Sequence, residues 1–266
     1  MFGDFRIADI VAFHCARVDI ECREELRNGT LVSERDYVTA LTTRIRLELS
    51  HHLPISCHAQ TINPRNENQF GVDGIVVFRS ANKIKVGLFE AKRPQVTQNN
   101  HGWDYLSTRN ISHFSEQIEK QRIWNGQLAL WEMFFNEATN GFQSPPYDFF
   151  GSSCVWHDNA FRFIHTENLI FNSWTTDKLK QLLQADGTNF YTIIYDIISC
   201  RAGKINNLDR DSNTCQIFSP SNDNISLNVP IPFEVGIERD ERIERFLIEN
   251  KLESYMYIDL TESRKI

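Results

Sequence analysis

The chain has 266 residues, a length that allows one substantial hydrophobic core or two small domains. Hydrophobic residues make up 41% of it and aromatic residues 12%, which is an ordinary composition for a globular protein. The formal net charge of −7 excludes a protein coated in basic surface, although a local basic groove on an acidic body could still bind nucleic acid.

The N-terminal segment and the cysteines indicate the cellular compartment. Charged residues such as Asp4, Arg6 and Asp9 interrupt the first apolar stretch, which is therefore too short for a signal peptide or a membrane span. The six cysteines are scattered and form no C-x-x-C pair, a pattern that favours reduced thiols over a zinc site. We therefore expect a cytoplasmic protein with no membrane partner.

Apolar periodicity predicts two helices near the start of the chain. The first runs from about Asp9 to Arg27 and ends at the sequence NGT. The second begins at Ser33, whose hydroxyl can cap the helix, with Asp36 at the third helical position as in a capping box. The apolar stripe of this second helix consists of Val38, Leu41, Ile45 and Leu49.

Strands and a further helix follow. Three strands are predicted at about 54–60, 70–79 and 84–92, with RSANK as a hairpin loop between the last two. A long helix is predicted from about Ile111 to Ala138, and another strand at 147–157 after a Pro-Pro break. From Ser33 to His157 the order is α-β-β-β-α-β, which favours an α/β fold with a central mixed sheet flanked by helices.

The second half of the chain carries less information. It contains two predicted helices at 175–184 and 188–201, a polar, turn-rich stretch at 205–227 and a charged helix at 238–251. Its apolar helix faces must bury against another surface. We expect a core domain at 1–160 and a C-terminal helical and irregular extension at 161–266, packed on the core for target recognition or oligomerisation.

The segment FGVDGIVVFRSANKIKVGLFEAKRP places charged residues in two apolar strands. Glu90 and Lys92 are two positions apart, so they share one face of a strand, and Asp73 belongs to the preceding strand. Buried charge is costly unless it is paired or binds a metal. Two interpretations stay open here: a metal site, or a cross-strand ion pair between Asp73 and Lys92 on a wet face of the sheet.

The order of these residues resembles a known superfamily. A helix with Glu, a strand with Asp, a strand with E-x-K and a helix with Gln are similar to the PD-(D/E)XK nucleases, the restriction-endonuclease-like enzymes. The resemblance covers Ser33 to about His157, and Val72 stands where the name-giving proline would be. It implies a restriction-endonuclease-like core.

The resemblance also implies a metal centre. Asp73, Glu90 and the backbone carbonyl of Ala91 would bind Mg²⁺, or Mn²⁺ in its place, and Lys92 would orient a metal-bound water or help it lose a proton. Hard divalent cations prefer oxygen ligands and can supply the charge stabilisation that phosphodiester hydrolysis needs.

Two further residues are implied with alternatives. Glu34 would bind a second metal ion or hold its water, but it could instead be an acidic residue favoured by the dipole of its helix. Gln117 would lie close to Lys92, but it could equally be a glutamine on a helix surface. Single cations nearby, such as Lys83, Lys85 and Arg122, could touch phosphates or merely aid solubility.

The implied function is a Mg²⁺-dependent DNA endonuclease of bacterial or phage restriction, anti-phage defence or repair. Its expected partner is double-stranded DNA, and a homodimer or higher homo-oligomer would allow two sites to cut both strands. One alternative is a nuclease fold that binds nucleic acid or protein without cleavage. Another is an RNA nuclease with the same metal chemistry, because discrimination of the 2′-hydroxyl depends on groove shape.

Overall fold

The computed structural model describes residues 2–62, 71–93, 95–97, 100–107, 110–135, 150–209, 211–233 and 239–261. In chain order, the helices are α1 (Phe5–Arg27), α2 (Glu34–His52), α3 (His113–Gln121), α4 (His157–Thr166), α5 (Thr176–Asp186), α6 (Phe190–Ile198) and α7 (Glu241–Asn250). The strands are β1 (Ser56–Thr61), β2 (Gly74–Ser80), β3 (Lys83–Lys92), β4 (Gln95–Thr97), β5 (Asn100–Gly102), β6 (Ala129–Phe134), β7 (Ser153–Trp156), β8 (Gly187–Asn189), β9 (Asn206–Asn207), β10 (Thr214–Ser219), β11 (Asn222–Pro230) and β12 (Ser254–Asp259).

The main sheet is mixed, with the strand order β1-β12-β2-β3-β6-β7-β8, and the short strand β9 pairs with β3. Strand β12 runs parallel to β2, and β3 runs parallel to β6. The pairs β1–β12, β2–β3, β6–β7 and β7–β8 are antiparallel. The prediction of an α/β fold with a central mixed sheet flanked by helices is therefore confirmed.

The first two helices form where their sequences indicate. The carboxylate of Asp4 accepts hydrogen bonds from the backbone N–H groups of Arg6 and Ile7, so α1 starts before the predicted Asp9. The hydroxyl of Ser33 accepts from the Asp36 N–H at 3.0 Å and caps α2 as predicted. The predicted stripe on α2 is buried throughout: Val38, Leu41, Ile45 and Leu49.

Strand β3 lies in the middle of the sheet and is buried on both faces. Val86 and Leu88 contribute to an apolar cluster beneath the β10–β11 hairpin and α7. Phe89 and Ala91 point to the opposite face, in a cluster with residues of α1, α2 and α6. Glu90 therefore shares the face of Leu88, as the period of two predicts.

The predicted helix from Ile111 to Ala138 is wrong beyond Gln121. A short 3₁₀ turn and Gly126, with φ at 74°, follow α3, and the chain then enters β6. All six residues of β6 are buried, and such a run shows helical spacing by chance because nearly every position is apolar. The last predicted positions, 136–138, lie outside the described residues.

The C-terminal half also needs correction, because it is not simply helical and irregular. The stretch predicted as polar and turn-rich contains the hairpin β10–β11, and helix α4 was not predicted. Strand β12 was missed as well, although it lies between β1 and β2 in the main sheet. Its apolar run, YMYI, is too short for periodicity to identify.

The strand predicted at 147–157 is shorter in the structure, where it corresponds to β7 (Ser153–Trp156). Residues 147–149 lie outside the described residues.

The cysteines and the helices bear on the expected compartment. All six cysteines have free thiols in the structure, and Cys200 is the exposed one. Within the described part of the chain, no helix is both long enough and apolar enough to cross a membrane.

Removing residues 161–266 would delete β12 and leave β1 and β2 with unpaired edges. Exposed strand edges pair with other chains, so we expect the fragment 1–160 to be insoluble. Co-expression of 1–160 with 161–266 as a second chain should return part of it to the soluble fraction, as measured by sedimentation and light scattering. A soluble, monodisperse 1–160 fragment would instead show that the C-terminal half is a separable domain.

Candidate functional site

Asp73 lies immediately before β2, where neighbouring strands hold its backbone from both sides. Its N–H donates to the Phe89 carbonyl at 2.8 Å. Its carbonyl accepts from the N–H groups of Glu253 and Ser254, at 2.8 and 3.2 Å. The carboxylate oxygen Oδ2 accepts from the Ala91 N–H at 2.7 Å, so the side chain is directed towards the end of β3.

Glu90 and Lys92 form a buried ion pair at the end of β3. The Lys92 ammonium contacts Glu90 Oε1, and the Gln117 amide nitrogen donates to the same oxygen at 2.6 Å. The ammonium also lies 5.3 Å from the centre of the Phe114 ring. Glu90 is 1% exposed. The open alternative of a wet ion pair between Asp73 and Lys92 is therefore wrong, because Lys92 pairs with Glu90 and is buried.

Glu34 enters the same region from the first turn of α2. Its carboxylate oxygen Oε1 accepts from the backbone N–H of Arg93 at 2.5 Å, just beyond the end of β3. The Arg93 guanidinium in turn donates to the Val32 carbonyl at 2.6 Å. The structure thus brings together Asp73, Glu90, Lys92, Glu34 and Gln117, with the backbone of Ala91 between them.

Burial and mutual repulsion dominate the electrostatics of this cluster. Burial raises the pKa of Asp73 to about 7, with Lys92 acting in the opposite direction and Glu253 and Glu34 adding to the rise. Burial and the charge of Asp73 raise the pKa of Glu90 well above its usual range. Burial alone would lower the pKa of Lys92, but the Glu90, Glu34 and Asp73 carboxylates raise it. The three carboxyl groups therefore share the stabilisation that the single Lys92 ammonium provides.

Three buried polar residues, Gln121, Glu132 and His157, lie beside this cluster, and neither Glu132 nor His157 was predicted as a site residue. Glu132 on β6 is the register partner of Glu90 and is 0% exposed. The signal was present, since Glu132 is the one charged residue in the apolar run LALWEMFF. Glu132, like Glu90, is thus a charged residue within a buried apolar strand.

Several acceptor atoms of the region have no hydrogen-bond partner among the described residues: Glu90 Oε2, Gln117 Oε1 and Glu132 Oε1. A buried acceptor without a donor costs free energy, and a cation or a proton would remove that cost. All three atoms are oxygens, the ligand type that Mg²⁺ and Mn²⁺ prefer. The chemistry of this donor set therefore suits a hard divalent cation.

Within the described ranges, no group of three or more His, Cys, Asp and Glu side chains could hold a metal ion. The candidate centre thus offers two carboxylates, those of Asp73 and Glu90. Mg²⁺ commonly binds through one or two carboxylates and completes its shell with waters and substrate phosphates. Two carboxylates are therefore enough for a site that is completed by substrate.

The cations that could have touched phosphates are largely occupied. Lys85 is buried, and burial lowers the pKa of its ammonium. Lys83 donates to the side-chain oxygen of Asn207 at 2.7 Å, and the Arg122 guanidinium lies 5.1 Å from the centre of the Phe161 ring. Lys85 is therefore removed from the candidate phosphate contacts.

The chain matches no protein-family model, no curated protein and no solved structure. The functional interpretation therefore rests on the residues and their geometry.

The raised pKa of Asp73 predicts a pH dependence of stability. Its pKa is about 7 in the folded protein and about 3.9 in an unfolded chain, so between these pH values the folded state keeps a proton that the unfolded state has lost. The free energy of unfolding in EDTA should therefore fall as pH rises through this window, by up to about 1.4 kcal/mol per pH unit.

Asp73→Asn is the matched variant for this measurement, because an amide of similar shape cannot titrate. Urea unfolding from pH 4.5 to 8 should give a flatter curve for Asp73→Asn than for the wild type. Mg²⁺ at pH 8 should raise the melting temperature of the wild type more than that of the variant. Parallel curves, with equal responses to Mg²⁺, would show that Asp73 neither titrates in this range nor binds the cation.

Proposed function

We propose that the protein is a metal-dependent nuclease that hydrolyses DNA phosphodiester bonds. The observation that carries the proposal is the cluster of half-buried Asp73 with buried Glu90 and Lys92 at the adjoining ends of two central strands. A cluster with more carboxylates than ammonium groups is costly to bury, and it is most readily explained if it binds a cation.

The surrounding elements support the same proposal. Helix α2 presents Glu34 and α3 presents Gln117 to the ends of β2 and β3, in the chain order that the PD-(D/E)XK resemblance implies. The parallel pairing of β3 with β6 sets α3 across the face that carries Glu90. Strand β12 lies between β1 and β2, so the first two strands of the chain are not neighbours in the sheet.

In the proposed reaction, Asp73 and Glu90 would hold Mg²⁺ or Mn²⁺, with the Ala91 carbonyl as the further ligand that the resemblance implies. The bound cation would stabilise charge on the phosphoryl group and acidify a water. Gln117 keeps the Glu90 carboxylate in place through its hydrogen bond. Lys92, with three N–H donors, would hold the attacking water or a phosphate oxygen once Glu90 turns to the cation.

The principal test is incubation with plasmid DNA, linear DNA and RNA in Mg²⁺, Mn²⁺ or EDTA. We expect DNA cleavage that EDTA abolishes. Cleavage of RNA alone would assign an RNA nuclease. Cation binding without cleavage of any substrate would favour a binding module. We further propose that the active form is a homodimer, which light scattering would detect.

Asp73→Ala, Glu90→Ala and Lys92→Met should each reduce cleavage by about 100-fold or more, because each removes a group from the reacting centre. Their cation affinities, measured by calorimetry, should differ. The two carboxylate variants lose a direct ligand and should bind Mn²⁺ more weakly. Lys92→Met should bind Mn²⁺ at least as well as the wild type, since the ammonium competes for Glu90.

Glu249→Ala is the matched control for these variants, because Glu249 belongs to a second E-x-K sequence and is exposed on α7. It should leave both cleavage and cation affinity unchanged. Equal loss of cation affinity in all three site variants would overturn the separate roles given to the carboxylates and Lys92.

Glu34→Gln should lower the cleavage rate more than it lowers DNA affinity. The substitution is nearly isosteric, and its amide oxygen can still accept from the Arg93 N–H, so only the negative charge is lost. Single-turnover cleavage and fluorescence anisotropy measure the two quantities separately. Unchanged turnover would reduce Glu34 to an acidic residue favoured at a helix start.

A further inference from the structure

Gln121, the last residue of α3, makes hydrogen bonds with three partners beside the acidic cluster. Its amide nitrogen donates to the Gly71 carbonyl at 2.7 Å and to Glu132 Oε2 at 3.3 Å. Its amide oxygen lies 3.0 Å from His157 Nδ1. Gln121 is 1% exposed.

The orientation of the Gln121 amide follows from these partners. Gly71 O and Glu132 Oε2 are both acceptors, so the amide nitrogen must face them and the oxygen must face His157. His157 Nδ1 therefore carries the proton and donates it to Gln121. A flipped amide would set its oxygen against two acceptors and its nitrogen against the His157 N–H, so all three partners together hold Gln121 in one orientation.

Gly71 connects Gln121 to Asp73, two residues further along the chain. Gly71 has φ at 67°, and a Cβ atom there would lie 2.5 Å from the Gln117 backbone oxygen. Helix α3 therefore packs directly on this glycine, and Gln121 holds its carbonyl. The segment that delivers Asp73 to the cluster is fixed to α3 by these two contacts.

Glu132 connects Gln121 to Glu90 by a second route. The two glutamates are register partners on parallel strands, so their side chains lie on the same face of the sheet. The charge of Glu132 adds to the rise in the pKa of Glu90. Glu132, held by Gln121, therefore places a second carboxyl group beside Glu90 at the candidate cation site.

We propose that Gln121, held in orientation by His157, is a positioning residue for the cation-binding carboxylates. It acts on Asp73 through the Gly71 carbonyl and on Glu90 through Glu132. This inference rests on the proposed function, because it assigns Gln121 to the same acidic centre. Partners that orient metal ligands typically change metal affinity by 10- to 100-fold when they are removed.

The test compares Mn²⁺ affinity, by calorimetry without nucleic acid, in three variants. Gln121→Glu replaces the donor by an acceptor facing Gly71 O and Glu132, and it should weaken binding by about 10- to 100-fold. His157→Leu should weaken binding by about 10-fold. His157→Asn places an amide nitrogen close to the position of Nδ1 and so keeps an uncharged donor for Gln121. Its Mn²⁺ affinity should therefore stay within about threefold of that of the wild type.

Gln60→Glu is the matched control, because Gln60 is also buried and donates to a backbone carbonyl, that of Asp240, outside the cluster. It should lower the melting temperature without weakening Mn²⁺ binding. In the Gln121 and His157 variants, kcat should fall more than KM rises.

Unchanged Mn²⁺ affinity in Gln121→Glu would overturn the proposal, and equal weakening in His157→Asn and His157→Leu would overturn the part assigned to His157. A wild-type protein that binds Mn²⁺ but cleaves no nucleic acid would overturn the proposed function alone, since the affinity series would still decide the inference. A wild-type protein that binds no divalent cation would overturn both.

Discussion

The buried contact between Lys92 and Glu90 is the constraint on which the candidate site depends. A carboxylate inside a central strand is tolerable because an ammonium and the Gln117 amide stabilise it. Asp73 lies close enough to the same ammonium to compete for it, and its pKa rises as a result of burial. The region thus contains more carboxyl groups than Lys92 can neutralise, and a divalent cation would replace the protons that their raised pKa values favour.

The site is assembled from segments that are far apart in the chain. Asp73 depends on β3 for its side-chain hydrogen bond and on the start of β12 for two backbone hydrogen bonds. Helix α2 brings Glu34 to the end of β3, and α3 covers the face that carries Glu90. The C-terminal half therefore contributes to the site without supplying a reactive group, because β12 fixes the backbone at which Asp73 enters.

The polar residues beside the site form a continuous hydrogen-bonded chain from His157 through Gln121 to Gly71 and Glu132. Each of these side chains is buried, so each contact is stronger than it would be in water and each lost partner is more costly. Such a chain resists rearrangement. The chain therefore helps to hold β3 and β6 together although their Glu90 and Glu132 carboxyl groups are neighbours.

The sequence by itself determined the local features: the capped start of α2, its buried stripe, the β2–β3 hairpin and the placement of Glu90 and Lys92 on one face. These follow from periods of two or of three to four residues, which depend only on residues close together in the sequence.

Tertiary structure determined the remaining features. Strand β6 is buried on both faces, so its sequence lacks the alternation that distinguishes a strand from a helix. Glu132 was missed with it, and β12 was missed because its position depends on pairing across about 180 residues between Asp73 and Glu253. The ion-pair partner of Lys92 also depends on tertiary packing. Sequence spacing allows either Asp73 or Glu90 as that partner. Lys92 pairs with Glu90 in the structure, where α3 covers the pair and Gln117 donates to the same carboxylate.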